Sequence, residues 1–346
     1  MKRQPVLLST APTRIDLAGG TLDIWPLSVL VPGAVTVNLA VGLNAEVRIE
    51  PLATKRGTGP RMEIVSRDRS ARAVRKLPVD PLKVDGPLAL LVRLAASFAP
   101  ARSFRMTCRA EAPAGAGLGG SSTLGIAAAG VLNRYTAAGL NREQLLQRVL
   151  NLETIELKVP TGNQDHLAAV HGGLAAYRHT ADGTERKAIP VPGGLGERLV
   201  LAYTGLPRNS GASNWDMFRR YIDGEGSTVR RLEAIARIAA QMAEALAEGD
   251  LNEVGRLIGE EGKLRNRLAP SVATPEIRTV GTAARRAGAL GVKVCGAGGG
   301  GCMVALTSEG RREAVARAMA ASGCRILDAG LGVRGLRVRE LPATPP

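Results

Sequence analysis

Aromatic residues are scarce in this chain. Only 3% of its 346 residues are Phe, Trp or Tyr, so its cores must be built from Leu, Val, Ile and Ala. Three histidines, none at ligand spacing from another, exclude a His-based metal site. The four cysteines, Cys108, Cys295, Cys302 and Cys324, form no Cys-x-x-Cys pair. That excludes a zinc ribbon and leaves buried thiols in a reducing compartment as the expectation. No apolar run approaches the ~18 residues of a membrane span, because Arg93 interrupts Leu88–Ala99. The N-terminus carries no apolar stretch, so no signal peptide is expected. The chain is therefore expected to be soluble and cytoplasmic, with no membrane partner. Acidic residues are also in deficit, 31 against 46 Lys and Arg, for a net charge of +15. Such a balance suits nucleic acid or a phosphorylated small molecule. The arginines are scattered along helical faces, as at Arg142, Arg148, Arg230, Arg231 and Arg237, with no basic block interleaved with aromatics. That distribution argues against nucleic acid.

Glycine is what the chain has in abundance, with 42 residues. One stretch concentrates it: Pro113-Ala-Gly115-Ala-Gly117-Leu118-Gly119-Gly120-Ser121-Ser122-Thr123. A loop so poor in side chains lets its backbone approach a guest closely. Opening a small-residue helix, it presents N–H groups and the positive end of the helix dipole, which suits phosphate. It is not a P-loop, because no lysine precedes the hydroxyls. A Gly-x-Gly-x-x-Gly match on Gly115, Gly117 and Gly120 lacks the acidic ribose partner of a dinucleotide fold. A second constellation is Arg14-Ile-Asp16-Leu-Ala-Gly19-Gly20-Thr-Leu-Asp23, an alternating segment that ends in a tight loop. On periodicity alone, Arg14, Asp16 and Asp23 also fit an ordinary surface ion pair. A third is Glu153, on a helix, and Asp165, twelve residues later in Gly162-Asn-Gln-Asp-His166. Two such carboxylates can flank a phosphate-bound metal. Spacing alone favours the plainer reading, with Glu153 a solvated helix residue and Asp165 a helix cap before Leu167–Val170.

These motifs resemble those of the GHMP kinase superfamily. The glycine stretch resembles its second motif, Pro-x-x-x-Gly-Leu-Gly-Ser-Ser. Residues 11–23 resemble its first, and Gly296-Ala-Gly-Gly-Gly-Gly301 its third. Galactokinases carry Glu-His after the first-motif glycine. Gly19-Gly20 here resembles instead the branch of heptose-7-phosphate kinases and fucokinases. The resemblance implies an α+β two-domain fold: a ribosomal-S5-like N-terminal domain over 1–190 and a ferredoxin-like C-terminal domain over 191–346, divided in the polar Gly/Pro-rich segment 180–196. It implies ATP and Mg²⁺ as cofactors and a sugar or sugar phosphate as the acceptor, attacked at the anomeric hydroxyl.

Residue by residue, it implies Asp165 as catalytic base with Arg14 beside it. Pro113, Gly115, Gly117, Leu118, Gly119, Gly120, Ser121 and Ser122 would hold the nucleotide. Gly19, Gly20, Asp23, His166 and Arg208 would line the acceptor side. Glu153 would bind the metal. The family's metal-side hydroxyl falls at Gly120, so Ser121 or Ser122 is expected to supply it. The alternatives are an inactive sugar- and nucleotide-binding regulator of the same fold and a basic RNA-binding protein.

In coarse structure, strands are expected over 5–10 and onward, two over 34–50, one at 62–65 and others at 104–111, 174–178, 199–204, 292–295, 324–328 and 333–340. Helices are expected at 85–99, capped by Asp85, and at 122–138, 142–157, 214–222, 227–248, 250–266, 275–288 and 309–321, with Asn141 capping the third of these.

Overall fold

The computed structural model describes residues 5–54, 57–206, 211–269, 272–296 and 298–342. The first sheet begins with β1 (Val6–Ala18). A one-turn helix, α1 (Leu27–Leu30), leads to β2 (Val35–Pro51), which lies antiparallel to β1. The expected pair of strands over 34–50 is thus one strand of 17 residues. Its interruption is a bulge, not a turn: Pro12 pairs with Asn44 and Thr13 with Val41. Pro12 has no N–H for the ladder, and an irregularity in pairing accommodates that. The Asn44 side chain donates to the Gly42 carbonyl at 3.2 Å across the bulge.

Strands β3 (Arg61–Ser66) and β4 (Ala71–Lys76) form a hairpin. Helix α2 (Ala89–Ser97) follows, shorter than the expected 85–99. Asp85 does not cap it: Gly86, at φ 97°, turns the chain first, and the N-cap is Leu88 with no side-chain bond. Strand β5 (Phe104–Ala110) pairs parallel to β3 and antiparallel to β2. The helices α3 (Gly120–Thr136) and α4 (Arg142–Leu157) come next. Asn141 caps α4 in a reciprocal capping box with Gln144. Helix α5 (Gln164–His171) places Asp165 inside its first turn rather than at its cap. Strands β6 (Leu174–Thr180) and β7 (Gly183–Ile189) extend the sheet beside the first half of β2.

The second unit contains α6 (Leu195–Arg198), β8 (Leu199–Tyr203), α7 (Gly211–Ile222), α8 (Gly226–Glu248), α9 (Leu251–Leu268), α10 (Pro275–Ala287), β9 (Ala289–Val294), β10 (Cys302–Thr307), α11 (Arg312–Ala321) and β11 (Arg325–Leu327). Its four-stranded antiparallel sheet runs β11-β8-β10-β9. The last strand, β12 (Arg337–Leu341), returns to the first sheet and pairs antiparallel with β1. That sheet therefore reads β12-β1-β2-β5-β3-β4, with β6 and β7 attached to β2.

Helix α3 is central to the first unit. Its run of Ala and Gly lets neighbours come close: a Cβ on Gly125 would lie 2.7 Å from Val149 of α4. One apolar core lies between the first sheet and α2–α5. A second joins β1, β2 and Leu118 to α8, α9 and the second sheet, so the two units share it. A third fills the space between the second sheet, α10 and α11. The four cysteines are buried and no disulfide joins them. Among the described residues, no helix is long and apolar enough to cross a membrane.

Candidate active site

The glycine stretch turns through three left-handed residues, Gly115, Gly117 and Gly119, at φ 70°, 76° and 75°, and then enters α3. The first N–H groups of that helix have no preceding turn to bond to. The chain closes the loop from behind: Ala116 N–H donates to the Pro113 carbonyl at 3.0 Å, and Cys302 N–H to the Ala116 carbonyl at 2.6 Å. The third glycine run supplies this backing. A Cβ on Gly301 would stand 2.7 Å from the Ala116 carbonyl oxygen, so only glycine lets the two loops stack. Ser122 is buried at the start of α3, Ser121 is exposed, and a side chain at Gly120 would meet nothing within 4 Å.

Arg14, buried on β1, fastens this loop to α5. Its backbone N–H donates to the Leu118 carbonyl at 3.1 Å. Its Nη1 donates to the Gly117 carbonyl at 2.8 Å, and its Nη2 contacts the Asp165 carboxylate. Burial works against the guanidinium charge, but Asp165 and Asp16 outweigh it and raise the Arg14 pKa. Asp165 presses against the loop: a Cβ on Gly119 would lie 2.8 Å from its carboxyl carbon. Its side chain stays 24% exposed, the open side of an otherwise enclosed pair.

Asp23 lies on the far side of the start of α5. It accepts from the Gln164 N–H at 2.9 Å and from the Gln164 side chain at 3.4 Å. Gly162 permits this contact, since a Cβ there would meet the Asp23 carboxylate at 1.9 Å. Burial pushes the Asp23 pKa up to about 6, against the Gln164 hydrogen bond and with help from Asp165 and Asp16.

Glu153, buried on α4, faces the loop hydroxyls. Ser122 Oγ donates to it at 2.7 Å, and His166 Nε2 lies 2.9 Å from the same oxygen. Burial alone would raise its pKa; His166, Ser122 and Ser121 outweigh that and hold it below the usual carboxylate range. Among the described residues, no group of three or more His, Cys, Asp and Glu could enclose a metal. The donor set fits Mg²⁺, which keeps waters and phosphate oxygens in most of its shell and needs one or two protein oxygens. Those would come from Glu153 with the hydroxyl of Ser121 or Ser122.

The structure thus brings Arg14, Asp165, Asp23, Glu153, His166 and the 113–122 loop together. Gly19 and Gly20 form the turn between β1 and Asp23, each with its Cβ space filled: by the Val35 carbonyl at 2.0 Å, and by Asp16 at 2.3 Å. Arg208 lies outside the described residues. His166, expected to line the acceptor side, instead abuts Glu153 and is fully buried. Its ring packs against that carboxylate, and no contact with Asp23 or the Gly19–Gly20 turn is seen among the described residues.

Asp16 does share a face with Arg14, as alternation predicts, but it is no surface residue. It is fully buried, 3.4 Å from Lys293 Nζ and 3.5 Å from Arg265 Nη2. Arg265, Lys293 and Glu261 are the neighbours of the site that pattern reading misses. Arg265 is 249 residues from Asp16 in the chain, and nothing in its local sequence marks it out.

Comparison with known proteins finds family matches over the glycine loop, Glu153, Asp165 and the third glycine run, with residues 11–23 outside the matched ranges. The family description "GHMP kinases N terminal domain" matches residues 88–173, and "GHMP kinases C terminal" matches 242–324. A mevalonate kinase from Aeropyrum pernix is 31% identical over 235 residues, covering 66% of this chain and 68% of that protein. The L-fucokinase/L-fucose-1-P guanylyltransferase of Bacteroides fragilis is 27% identical over 340 residues, 88% of this chain but 35% of that longer protein. Among solved structures, a D-glycero-D-manno-heptose 1-phosphate kinase from Bacteriodes thetaiotaomicron superposes with a TM-score of 0.77 at 23% identity, over 97% of this chain and 100% of that one.

Proposed function

The chain belongs to the GHMP kinase family, and within it we propose that this protein transfers the γ-phosphoryl group of ATP to the anomeric hydroxyl of a heptose 7-phosphate or a fucose-type sugar. The observation that carries the reading is the contact of Asp165 with both Arg14 and the glycine loop. A base for the acceptor hydroxyl then stands at the edge of a phosphate cradle. Phosphoryl transfer needs positioning and charge neutralisation more than covalent chemistry from the protein.

The loop N–H groups of residues 115–122 hold the phosphates of ATP. Asp165 orients the acceptor hydroxyl and takes its proton. Arg14 pairs with Asp165 and faces the transferred charge. Asp23 accepts hydrogen bonds from other hydroxyls of the acceptor. Glu153 and the hydroxyl of Ser121 or Ser122 would hold Mg²⁺, which would supply charge neutralisation to the phosphates. The sugar side of the reading rests on the Gly19-Gly20 turn and on the fucokinase relative, whose similarity spans 88% of this chain.

A competing acceptor has its own support in the mevalonate kinase relative at 31% identity. One panel separates the readings: ADP release with 7-phosphoheptoses, L-fucose, D-galactose and mevalonate. A heptose or fucose is expected to turn over fastest, with a ³¹P spectrum of the product reporting an anomeric phosphate. Fastest turnover with mevalonate overturns the sugar assignment. No turnover with any acceptor favours a regulator without catalysis. In the active pairing, Asp165→Asn should lower kcat by about 10²–10⁴ while ATP affinity holds. Near-parent turnover in that variant removes Asp165 from the role of base.

A further inference from the structure

Four charged side chains lie buried beneath the acceptor loop and take no part in the chemistry above. Asp16 comes from β1, Glu261 and Arg265 from α9, and Lys293 from β9. Lys293 Nζ sits 2.8 Å from Glu261 Oε2 and donates to the Leu17 carbonyl at 3.3 Å. Arg265 Nε donates to Glu261 Oε1 at 2.9 Å, and its Nη1 to the Gly296 carbonyl at 3.3 Å. Two carboxylates face two cations, so the cluster is neutral, and charges this deeply buried persist only when so matched.

One end of the cluster reaches the acceptor loop. Arg265 Nη2 donates to Thr21 Oγ1 at 3.4 Å and to Asp16 at 3.5 Å. Thr21 has φ 82°. A β-branched residue in the left-handed region is strained and persists only where its surroundings hold it. Gly20, just before it, has no room for a side chain: a Cβ would lie 2.5 Å from Arg265 Nη2 and 2.3 Å from Asp16 Oδ2. The glycine pair in this turn is therefore the space that the Arg265–Asp16 contact requires. Two residues beyond Thr21 stands Asp23.

We propose that Arg265 is a positioning residue for the acceptor side of the site: through Thr21 and Asp16 it holds the Gly19–Asp23 turn in its strained form and so places Asp23. Because Arg265 also bonds Gly296, where the third glycine run begins, it ties this turn to the second unit. The kinetic part of the inference rests on the kinase reading; the structural part does not.

Three variants test it. Thr21→Val keeps size and every charge but removes the hydroxyl that Arg265 bonds. Glu261→Gln with Arg265→Met removes the anchor while leaving Asp16 and Lys293 matched, which guards against misfolding around an unpaired charge. Arg265→Lys is the conservative control. On the ligand-free chain, amide exchange at residues 19–24 should speed up in the first two variants, while residues 115–122 keep parent protection. With the panel acceptor that the parent phosphorylates fastest, KM for that acceptor should rise about tenfold or more, the scale of a lost hydrogen bond to a charged group. kcat and KM for ATP should stay within a few-fold of the parent. Arg265→Lys should recover part of the acceptor KM.

Parent exchange rates in the 19–24 turn in both Thr21→Val and the double variant overturn the proposal. So does an equal loss on the ATP and acceptor sides, which marks the cluster as general scaffolding. If no acceptor is phosphorylated, the kinase reading fails, and the exchange measurement decides the role of Arg265 by itself.

Discussion

Asp23 and Glu153 are both buried carboxylates at one site, and their surroundings push them in opposite directions. Glu153 has a hydroxyl and an imidazole against it and is held in its charged form. Asp23 has burial and two other carboxylates against it, and its pKa rises to about 6. Separation of this kind is how one site keeps carboxylates for different tasks. It also has a cost in stability with a definite sign. An acid whose folded-state pKa is raised stabilises the fold when protonated, below its unfolded value near 4. That contribution is lost as pH rises through the folded value near 6. Over that window the loss is on the order of 3 kcal/mol. Asp23→Asn keeps an acceptor for the Gln164 N–H and removes the ionisation. The variant should melt close to the parent at pH 4 and increasingly above it toward pH 7. Melting curves across that range check this, and a constant gap between the two proteins contradicts it.

Among the elements, α4 links a local sequence signal to the site. Asn141 starts it and Glu153 stands near its other end. Asn141→Ala removes one half of the capping box and should cost about 1 kcal/mol of stability. kcat should not change, because Ser122 and His166 hold Glu153 independently of the helix start. A fall in kcat matching the loss of stability would mean that the cap positions the carboxylate. Helix α4 was legible because its cap and apolar spacing are local. The glycine stretch was legible for the same reason. In sequence β2 reads as two strands, because Asn44 looks like a turn between two alternating segments. Only the pairing partner, with Pro12 opposite Asn44, makes it a bulge. Helix α2 starts later than its sequence suggests, because Asp85 and Pro87 form an ordinary start signal that the turn at Gly86 overrides. The site followed the same division. Arg14, Asp23, Glu153 and Asp165 sit in recognisable motifs. Arg265 and Lys293 do not, and their role depends on contacts across 244 to 276 residues of chain.

At the scale of the whole molecule, the expected boundary at 190 and 191 meets a fold that crosses it repeatedly. Strand β12, from the far end of the chain, pairs with β1 over five residues, Val6–Thr10 with Arg337–Leu341. The second apolar core draws Ile15, Leu17 and Val37 from one side and Ile238, Leu257 and Val304 from the other. The Asp16–Lys293–Glu261–Arg265 cluster closes the same seam with matched charges. Separating the units would expose the shared core to water and leave Asp16 on one piece and its two cations on the other. Exposure of the shared core is a large loss beside the 5–15 kcal/mol of net stability usual for a folded protein, while hydration of the freed charges offsets much of the lost pairing. We therefore expect the two units to unfold together. Calorimetry should show one transition, with van't Hoff and calorimetric enthalpies in agreement where unfolding is reversible. The charge-balanced Glu261→Gln/Arg265→Met variant should move that single transition down without splitting it, since the apolar core still spans the seam. Two resolved transitions in the parent would show instead that the units are thermodynamically independent. The buried charges would then act as a local brace for the acceptor turn, with little part in coupling one unit to the other.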